Sequence, residues 1–317
     1  MPFAHVLGSI LALAPALPLT TPAAGPQPII GGERVDASEW PSVVAILGVV
    51  PGLHATATLC SGVLVDAKTV LTAAHCLVDA EDYDGIVVYF GDSIYSTASG
   101  RRTTASDFGV DPEYCAECKS DAHDFGYVVL DGEVSGVPLV PPIVAQEEWD
   151  AVMREGAEVT LVGFGASRDT SGDGAAPLAT SEYGLKREVM TSFKRLVGSG
   201  IEFVAGSNGR DTCGGDSGGP VFARGPGGDW RLIGITSRGE LPCGSGNGIY
   251  GVPYAALPWL REAAMVDLLP PECQDGDCLD TAPPAAEGGC RAAAGTRGAG
   301  FGLVLAAFAR RRRRARG

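Results

Sequence analysis

Gly215-Asp216-Ser217-Gly218-Gly219-Pro220 is the stretch on which the interpretation of this chain rests. A serine hydroxyl is a weak nucleophile at neutral pH and needs a neighbouring base. It also needs backbone N–H groups aimed at the oxyanion that forms on the attacked carbonyl, and flanking glycines keep that approach open. At this chain's glycine content and ordinary frequencies for the other residues, such a hexamer arises by chance in roughly one such chain in several thousand. Ser217 is therefore our candidate nucleophile.

A candidate base lies in Thr72-Ala73-Ala74-His75-Cys76. A lone histidine is more often structural than catalytic, but His75 is one of only four in the chain and follows the apolar pair Val70-Leu71. Because a serine nucleophile requires a base, the serine loop makes His75 the candidate for that role.

A candidate acid lies in the stretch HDFGYVVL at 123–130. The acid of a catalytic triad is buried beside the base, and Asp124 stands at the mouth of an apolar strand-like run. An aspartate that only forms a turn before a strand is the ordinary alternative. Three other residues compete by proximity in sequence: Asp107, Asp111 and Asp121.

With Ile29-Ile30-Gly31-Gly32, these stretches resemble the chymotrypsin/trypsin family of serine proteases over about residues 29–265, in the order His, Asp, Ser. That order differs from those of subtilisin-like and α/β-hydrolase enzymes. The resemblance implies an all-β fold of two six-stranded antiparallel β-barrels with the active site in the cleft between them. It implies a triad of His75, Asp124 and Ser217, an oxyanion hole made by the N–H groups of Gly215 and Ser217, and no metal or organic cofactor.

The composition agrees with a β-rich body. The 45 glycines and 22 prolines among 317 residues favour many turns and short strands. Apolar, β-branched runs predict strands at Val43–Val50, Gly62–Val65, Ile86–Phe90, Tyr127–Leu130, Val159–Phe164 and Leu232–Thr236. The amphipathic stretch Tyr254–Met265 predicts a C-terminal helix.

The resemblance also implies a substrate pocket. Asp211, six residues before the serine, matches the position at the base of the S1 pocket, where a carboxylate pairs with Arg or Lys of the substrate. Gly239 and Gly248 match the pocket-wall glycines, and Ser237 matches the strand that pairs with the substrate backbone. Arg238 departs from the family, which has tryptophan there. A surface-loop aspartate is the alternative for Asp211.

Nine cysteines indicate an oxidising compartment. The resemblance implies the disulfides Cys60–Cys76 and Cys213–Cys243. Cys115–Cys118 and Cys273–Cys278 then remain as local pairs, for which disulfides are the preferred interpretation and a four-cysteine zinc site the alternative. Cys290 is the ninth cysteine.

Composition divides the chain into five segments. Residues 1–24 are typical of a secretory signal peptide, although no Lys or Arg precedes the apolar run. Residues 25–28 form a short pro-segment and 29–265 the protease domain. Residues 266–290 form a Pro- and acid-rich linker, and 291–317 an apolar and Arg-rich tail.

The tail resembles the C-terminal sorting signals of myxobacterial surface proteins over about residues 288–317. That resemblance implies processing near Cys290, with anchoring at the bacterial cell surface or membrane through that residue. A basic nucleic-acid-binding tail is the alternative. Residues 29–290 contain 16 basic and 38 acidic residues, a net charge of -22, which disfavours nucleic acid as a partner and favours basic substrates.

The family resemblance further implies activation by cleavage. A freed Ile29 amine would insert and pair with Asp216, which shapes the pocket and the oxyanion hole. Pro28 precedes Ile29, so an enzyme that cuts after Arg or Lys cannot activate itself there. Gly25-Pro26-Gln27-Pro28 consists of two X-Pro dipeptides, which suggests removal by an X-Pro dipeptidyl peptidase.

We expect a secreted, monomeric serine endopeptidase that cleaves proteins or peptides after Arg or Lys. The main alternative is a non-catalytic binding protein on the protease fold at the cell surface. An esterase is less consistent with the sequence, because Pro220 would break the helix that must follow a nucleophile elbow.

Overall fold

The computed structural model describes residues 28–53, 55–96, 100–169, 182–207, 209–273 and 278–282. The predicted signal peptide, Cys290 and the tail 291–317 lie outside these residues. Among the described residues, no helix is long and apolar enough to cross a membrane.

Six antiparallel strands close the first barrel. A two-residue strand β1 (Glu33–Arg34) precedes it. The barrel strands are β2 (Val43–Val49), β3 (Thr56–Leu64), β4 (Thr69–Thr72), β5 (Ile86–Phe90), β6 (Arg101–Val110) and β7 (Gly126–Leu130). Their order around the barrel is β2-β3-β4-β7-β6-β5, and β5 pairs with β2 to close it.

The second half of the described chain forms another closed barrel. Its strands are β8 (Glu158–Gly163), β9 (Arg187–Val197), β10 (Glu202–Ala205), β11 (Pro220–Arg224), β12 (Trp230–Gly239) and β13 (Gly248–Gly251). The order is β8-β9-β10-β13-β12-β11, closed by the pairing of β11 with β8. β1 adds to the outer edge of β9.

Helices are few and short. α1 (Gln146–Val152) lies between the barrels in sequence, and α2 (Leu257–Ala263) follows the last strand. Four 3₁₀ turns occur at Ala74–Cys76, Ala80–Asp82, Pro253–Ala256 and Pro271–Cys273. The prediction of two six-stranded antiparallel barrels with a C-terminal helix is confirmed.

Two long strands were absent from the sequence prediction. β6 carries polar side chains along both faces and is mostly exposed, so it has no apolar pattern to detect. β9 does alternate between buried and less buried positions, but Arg187 and Thr191 occupy buried positions and mask the period of two.

The described part of the predicted linker lies against the second barrel and α2. Leu269, Cys273 and Leu279 belong to the buried core. The hydroxyl oxygen of Tyr254 accepts hydrogen bonds from the N–H groups of Cys278 at 2.7 Å and Leu279 at 3.1 Å. These contacts tie residues 266–282 to the domain that precedes them.

Candidate active site

Neighbouring strands of the first barrel bring the candidate base and acid together. β4 ends at Thr72, which pairs with Gly126 at the start of β7. The 3₁₀ turn after β4 carries His75, and Asp124 lies just before β7. His75 Nδ1 is 2.8 Å from Asp124 Oδ2, and the backbone N–H of His75 donates to Asp124 Oδ1 at 3.0 Å.

The rival aspartates have other partners. Asp111 lies beside His123, with 3.9 Å between its Oδ2 and the ring Nδ1. Asp121 accepts hydrogen bonds from Ser199. Asp107 belongs to the exposed face of β6. Of the four candidates, Asp124 is the one that contacts His75.

The environment of Asp124 keeps its carboxylate ionised. Its side chain is only 5% exposed. Burial raises the pKa of Asp124, but hydrogen bonds from the His75 ring, the Ser237 hydroxyl and the His75 backbone outweigh burial and lower it below its usual value. The Ser237 hydroxyl donates to Oδ2 at 2.6 Å. A buried, ionised carboxylate on Nδ1 fixes the histidine tautomer that leaves Nε2 free to accept a proton.

Contacts with both barrels hold the serine loop in the cleft. The carbonyl of Ser217 accepts a hydrogen bond from Ser61 of β3, and the N–H of Gly218 donates to Thr236 of β12, both at 2.8 Å. Ser217 and His75 line one cavity, without a hydrogen bond between their side chains among the described contacts. Such bonds are often long in free enzymes and tighten when substrate binds.

The backbone of this loop leaves two donors available. Gly215 has φ of 93°, a conformation that favours glycine. A hydrogen bond from the Ser61 hydroxyl at 2.9 Å holds its carbonyl. Within the described part of the chain, neither the N–H of Gly215 nor that of Ser217 donates a hydrogen bond. Both remain free to bind an oxyanion.

A second cavity opens beside the serine and ends at Asp211. Its lining includes Ser217, Ser237 and Gly239. Gly239 pairs with Gly248 across β12 and β13. A Cβ on Gly248 would lie 2.8 Å from Asp211 Oδ1 and would also clash with the Tyr250 hydroxyl, so the packing of these two side chains requires glycine there. Gly248 is not among the described residues that line the cavity.

Asp211 is a buried acidic residue in the lining of this cavity. Burial raises the pKa of Asp211, against the opposing effect of hydrogen bonds from the N–H of Thr212 at 2.9 Å and of Gly246 at 3.0 Å. A cation in the cavity would stabilise the ionised form of Asp211 and so offset the effect of burial.

Comparison with known proteins decides the family. The sequence model described as Trypsin matches residues 29–260. The chain belongs to the trypsin family.

Its relatives are distant in sequence. The CLIP domain-containing serine protease B15 of Anopheles gambiae is 28% identical over 261 residues, which cover 74% of this chain and 69% of the relative. Spermosin of Halocynthia roretzi is 27% identical, covering 79% of this chain and 65% of the relative. The bradykinin-releasing enzyme KR-E-1 of Gloydius ussuriensis is 28% identical, with 74% and 94% covered. Family and relatives together support a peptide hydrolase of the serine type.

In this trypsin-family chain, Ile29 and Asp216 are both fully buried. Asp216 accepts hydrogen bonds from the N–H groups of Gly165 at 2.8 Å and Cys213 at 2.9 Å. Burial nevertheless raises the pKa of Asp216 to about 7. Here Ile29 is joined to Pro28, so its nitrogen is a neutral amide and cannot form an ion pair.

All four cysteine pairs expected from the sequence are disulfide bonds: Cys60–Cys76, Cys115–Cys118, Cys213–Cys243 and Cys273–Cys278. A four-cysteine zinc site would need free thiolates from the second and fourth pairs, whereas each pair is joined internally.

Sequence reasoning missed two polar residues of the site. Ser61 donates to the Gly215 carbonyl and accepts a hydrogen bond from the Phe164 N–H, both at 2.9 Å, yet no motif marks it. Glu202 is buried behind Ser237 and binds Arg238. A single charge inside the apolar run 201–205 was the available signal.

Proposed function

We propose that this chain is a secreted serine endopeptidase that hydrolyses peptide bonds after Arg or Lys through an acyl-enzyme. The observation that carries this proposal is the contact of His75 with the buried carboxylate of Asp124 in the cleft that Ser217 lines, with a second buried carboxylate in the adjoining cavity. A binding protein on the same fold would not require this combination.

In the proposed mechanism, His75 Nε2 removes the hydroxyl proton as Ser217 Oγ attacks the substrate carbonyl carbon. The resulting oxyanion accepts hydrogen bonds from the N–H groups of Gly215 and Ser217. Asp124 stabilises the imidazolium, which then gives its proton to the leaving amine as the peptide C–N bond breaks. Water hydrolyses the acyl-enzyme by the same steps, and no metal or organic cofactor takes part.

Arg and Lys are the proposed P1 residues because of Asp211. The cavity is lined by Gly239, which has no side chain to fill it, and by the buried carboxylate of Asp211. A guanidinium or ammonium group of the substrate would be the positively charged partner of this carboxylate. Ser237 and Gly239 would flank the substrate on the way in.

We also propose that the enzyme is activated when cleavage frees the amine of Ile29, and the support is again a buried carboxylate, that of Asp216. A free amine at Ile29 would be a cation, and a buried carboxylate with its pKa raised to about 7 would be stabilised as an anion by such a partner. We propose that removal of residues 25–28 supplies this amine, with the X-Pro dipeptides as the sites of stepwise cleavage.

The proposed life cycle uses both ends of the sequence. Residues 1–24 would direct export and be removed, which agrees with four disulfides. Residues 291–317, with Cys290, would retain the protease at the bacterial cell surface. We propose that the enzyme acts as a monomer on protein or peptide substrates and does not bind nucleic acid.

The test is a peptidase assay on a chain that begins at Ile29. Peptide substrates ending in Arg, Lys, Phe or Ala are compared, with Ser217→Ala as the matched control. We expect turnover of the Arg and Lys substrates and none in the control. Turnover mainly of Phe or Ala would keep the endopeptidase and reject the role of Asp211. A folded, disulfide-bonded chain without turnover would favour the binding protein.

A further inference from the structure

Arg238 is a charged side chain next to the candidate triad, at the position where the family resemblance leads one to expect tryptophan. Its guanidinium forms a two-pronged ion pair with Glu202, with Nη1–Oε1 at 2.6 Å and Nη2–Oε2 at 3.0 Å. Glu202 is only 1% exposed, so this pair is largely withdrawn from water. Such a fork fixes the plane of the guanidinium.

The same guanidinium reaches the triad through one hydroxyl. Nη1 donates to Ser237 Oγ at 3.1 Å, and Ser237 Oγ in turn donates to Asp124 Oδ2 at 2.6 Å. An arginine can only donate, so its bond occupies an acceptor site on the hydroxyl oxygen. The hydroxyl proton is then directed at Asp124.

Arg238 also holds the segment that leads into Asp124. Nη2 donates to the carbonyl of Lys119 at 2.9 Å. Glu202, its partner, accepts hydrogen bonds from the N–H groups of Asp121 at 2.9 Å and Ala122 at 3.4 Å. One ion pair therefore anchors three residues of the segment 119–122, whose end lies two residues before the triad carboxylate.

We propose that Arg238 is a positioning residue for the catalytic triad, acting on Asp124 through Ser237 and through the segment 119–122. This inference rests on the proposed function, since it assigns a role within the same reaction. Arg238 touches neither the base nor the nucleophile in the described contacts. It orients the group that orients His75.

A lysine would not replace it. One ammonium group can neutralise Glu202, but it lacks the planar fork that bonds Glu202, Ser237 and Lys119 at the same time. Glutamine would leave Glu202 buried without a charge partner and would destabilise the fold. The informative variant therefore combines Arg238→Gln with Glu202→Gln, which removes both charges and keeps one of the two oxygens that accept from the backbone N–H groups of Asp121 and Ala122.

The chain offers a matched control on the same strand. Arg231 of β12 makes a similar two-pronged ion pair with Glu148, at 2.8 and 2.6 Å, and Glu148 belongs to α1. Arg231→Gln with Glu148→Gln removes an equivalent pair that has no contact with the triad.

The experiment measures kcat, KM and the rate at which methanesulfonyl fluoride inactivates the enzyme. In that reaction Ser217 Oγ bonds to sulfur, fluoride leaves and the hydroxyl proton passes to the base. The reagent is too small to depend on substrate subsites, so its rate reports on the triad. We expect the Arg238/Glu202 variant to lose about tenfold in both kcat and inactivation rate, with KM unchanged. The Arg231/Glu148 variant should match wild type.

A double-mutant cycle covers the case in which the Arg238/Glu202 variant does not fold. Arg238→Lys is measured alone and in a Ser237→Ala chain. If Arg238 acts through Ser237, its loss of kcat is several-fold smaller in the Ser237→Ala chain. Equal losses in both chains would assign the effect to the segment 119–122 alone. Unchanged kcat in both chains would overturn the proposal, as would a folded Arg238/Glu202 variant with wild-type inactivation. If the Arg238 variants raise KM and leave kcat unchanged, the proposal is overturned, and Arg238 would instead be a residue that contacts the substrate. A wild-type chain inert to peptide and reagent would instead overturn the proposed function.

Discussion

Asp124 shows how a single residue is set apart from chemically identical neighbours. Four aspartates lie between residues 107 and 124, and burial at Asp124 alone would favour its neutral form. Three donors from His75 and Ser237 reverse that effect. The result is a carboxylate that remains ionised in a site from which water is largely excluded, which is what stabilisation of an imidazolium requires.

Replacing this carboxylate by an amide tests that role. Asp124→Asn keeps the size of the side chain but removes the negative charge and favours the wrong histidine tautomer. We expect kcat to fall by a factor on the order of 10,000, the size seen when a Ser-His-Asp triad loses its acid, with little change in KM. Steady-state kinetics measure this. A loss below about tenfold would mean that Asp124 is not the triad acid.

Asp211 can be tested in the same isosteric way. Asp211→Asn removes the charge from the cavity but keeps only one of the two oxygens that accept hydrogen bonds, since the N–H of Thr212 binds Oδ1 and that of Gly246 binds Oδ2. We expect kcat/KM for Arg substrates to fall by about 100- to 1,000-fold, because a substrate cation would be buried without a partner. The second-order rate with methanesulfonyl fluoride serves as the control and should be unchanged. Undiminished turnover of Arg substrates would remove Asp211 from the specificity site.

Among the secondary-structure elements, the segment after α2 has the clearest consequence. Composition alone describes residues 266–290 as a Pro- and acid-rich linker. In the described part, 266–273 and 278–282, the side chains of Val266, Leu269 and Leu279 are instead buried. Its backbone is joined to Tyr254 by two hydrogen bonds. Burial of apolar side chains stabilises the barrel that they cover.

Truncation measures that contribution. A chain ending at residue 265 should unfold at a lower denaturant concentration than one ending at residue 290. We expect its free energy of unfolding to be smaller by at least about 3 kcal/mol, because three buried apolar side chains are lost. Both chains carry Ser217→Ala to prevent self-digestion. Equal stability would mean that the segment behaves as an independent linker in solution.

At the scale of the whole molecule, the protonation of Asp216 links the stability of the uncut chain to the proposed activation. In the uncut chain its pKa is raised to about 7, above the ordinary value near 4 expected in the unfolded chain. The folded state therefore retains a proton that the unfolded state releases between these values. Since the folded state binds more protons in this window, the stability of the uncut chain should fall as pH rises from about 4 to 7.

Equilibrium unfolding of the uncut Ser217→Ala chain across that pH range measures this decline. Asp216→Asn should remove it, because the amide does not titrate. A chain that begins at Ile29 should also lack it, since the new amine stabilises the ionised carboxylate. The same pH dependence in all three chains would separate Asp216 from activation.

The sequence by itself determined the chemistry-bearing residues and the fold class. Each candidate site residue lies in a short motif that can be recognised from a few adjacent residues. These motifs are the serine loop, the stretch around His75 and the strand that follows Asp124. Through the resemblance that these motifs carry, two barrels were predicted before any contact was known. The cysteine pairs 115–118 and 273–278 were also readable, because partners three and five residues apart need no tertiary information.

Tertiary structure decided what depends on residues distant in sequence. The contact of Asp124 with His75 follows from the pairing of β4 with β7, and the strands β6 and β9 are held by neighbours rather than by their own apolar pattern. Arg238 binds Glu202, which is 36 residues away in sequence, and Lys119, which is 119 residues away. Hydrogen bonds and ion pairs act over a few ångströms in space, and only the closed barrels bring these groups within that range.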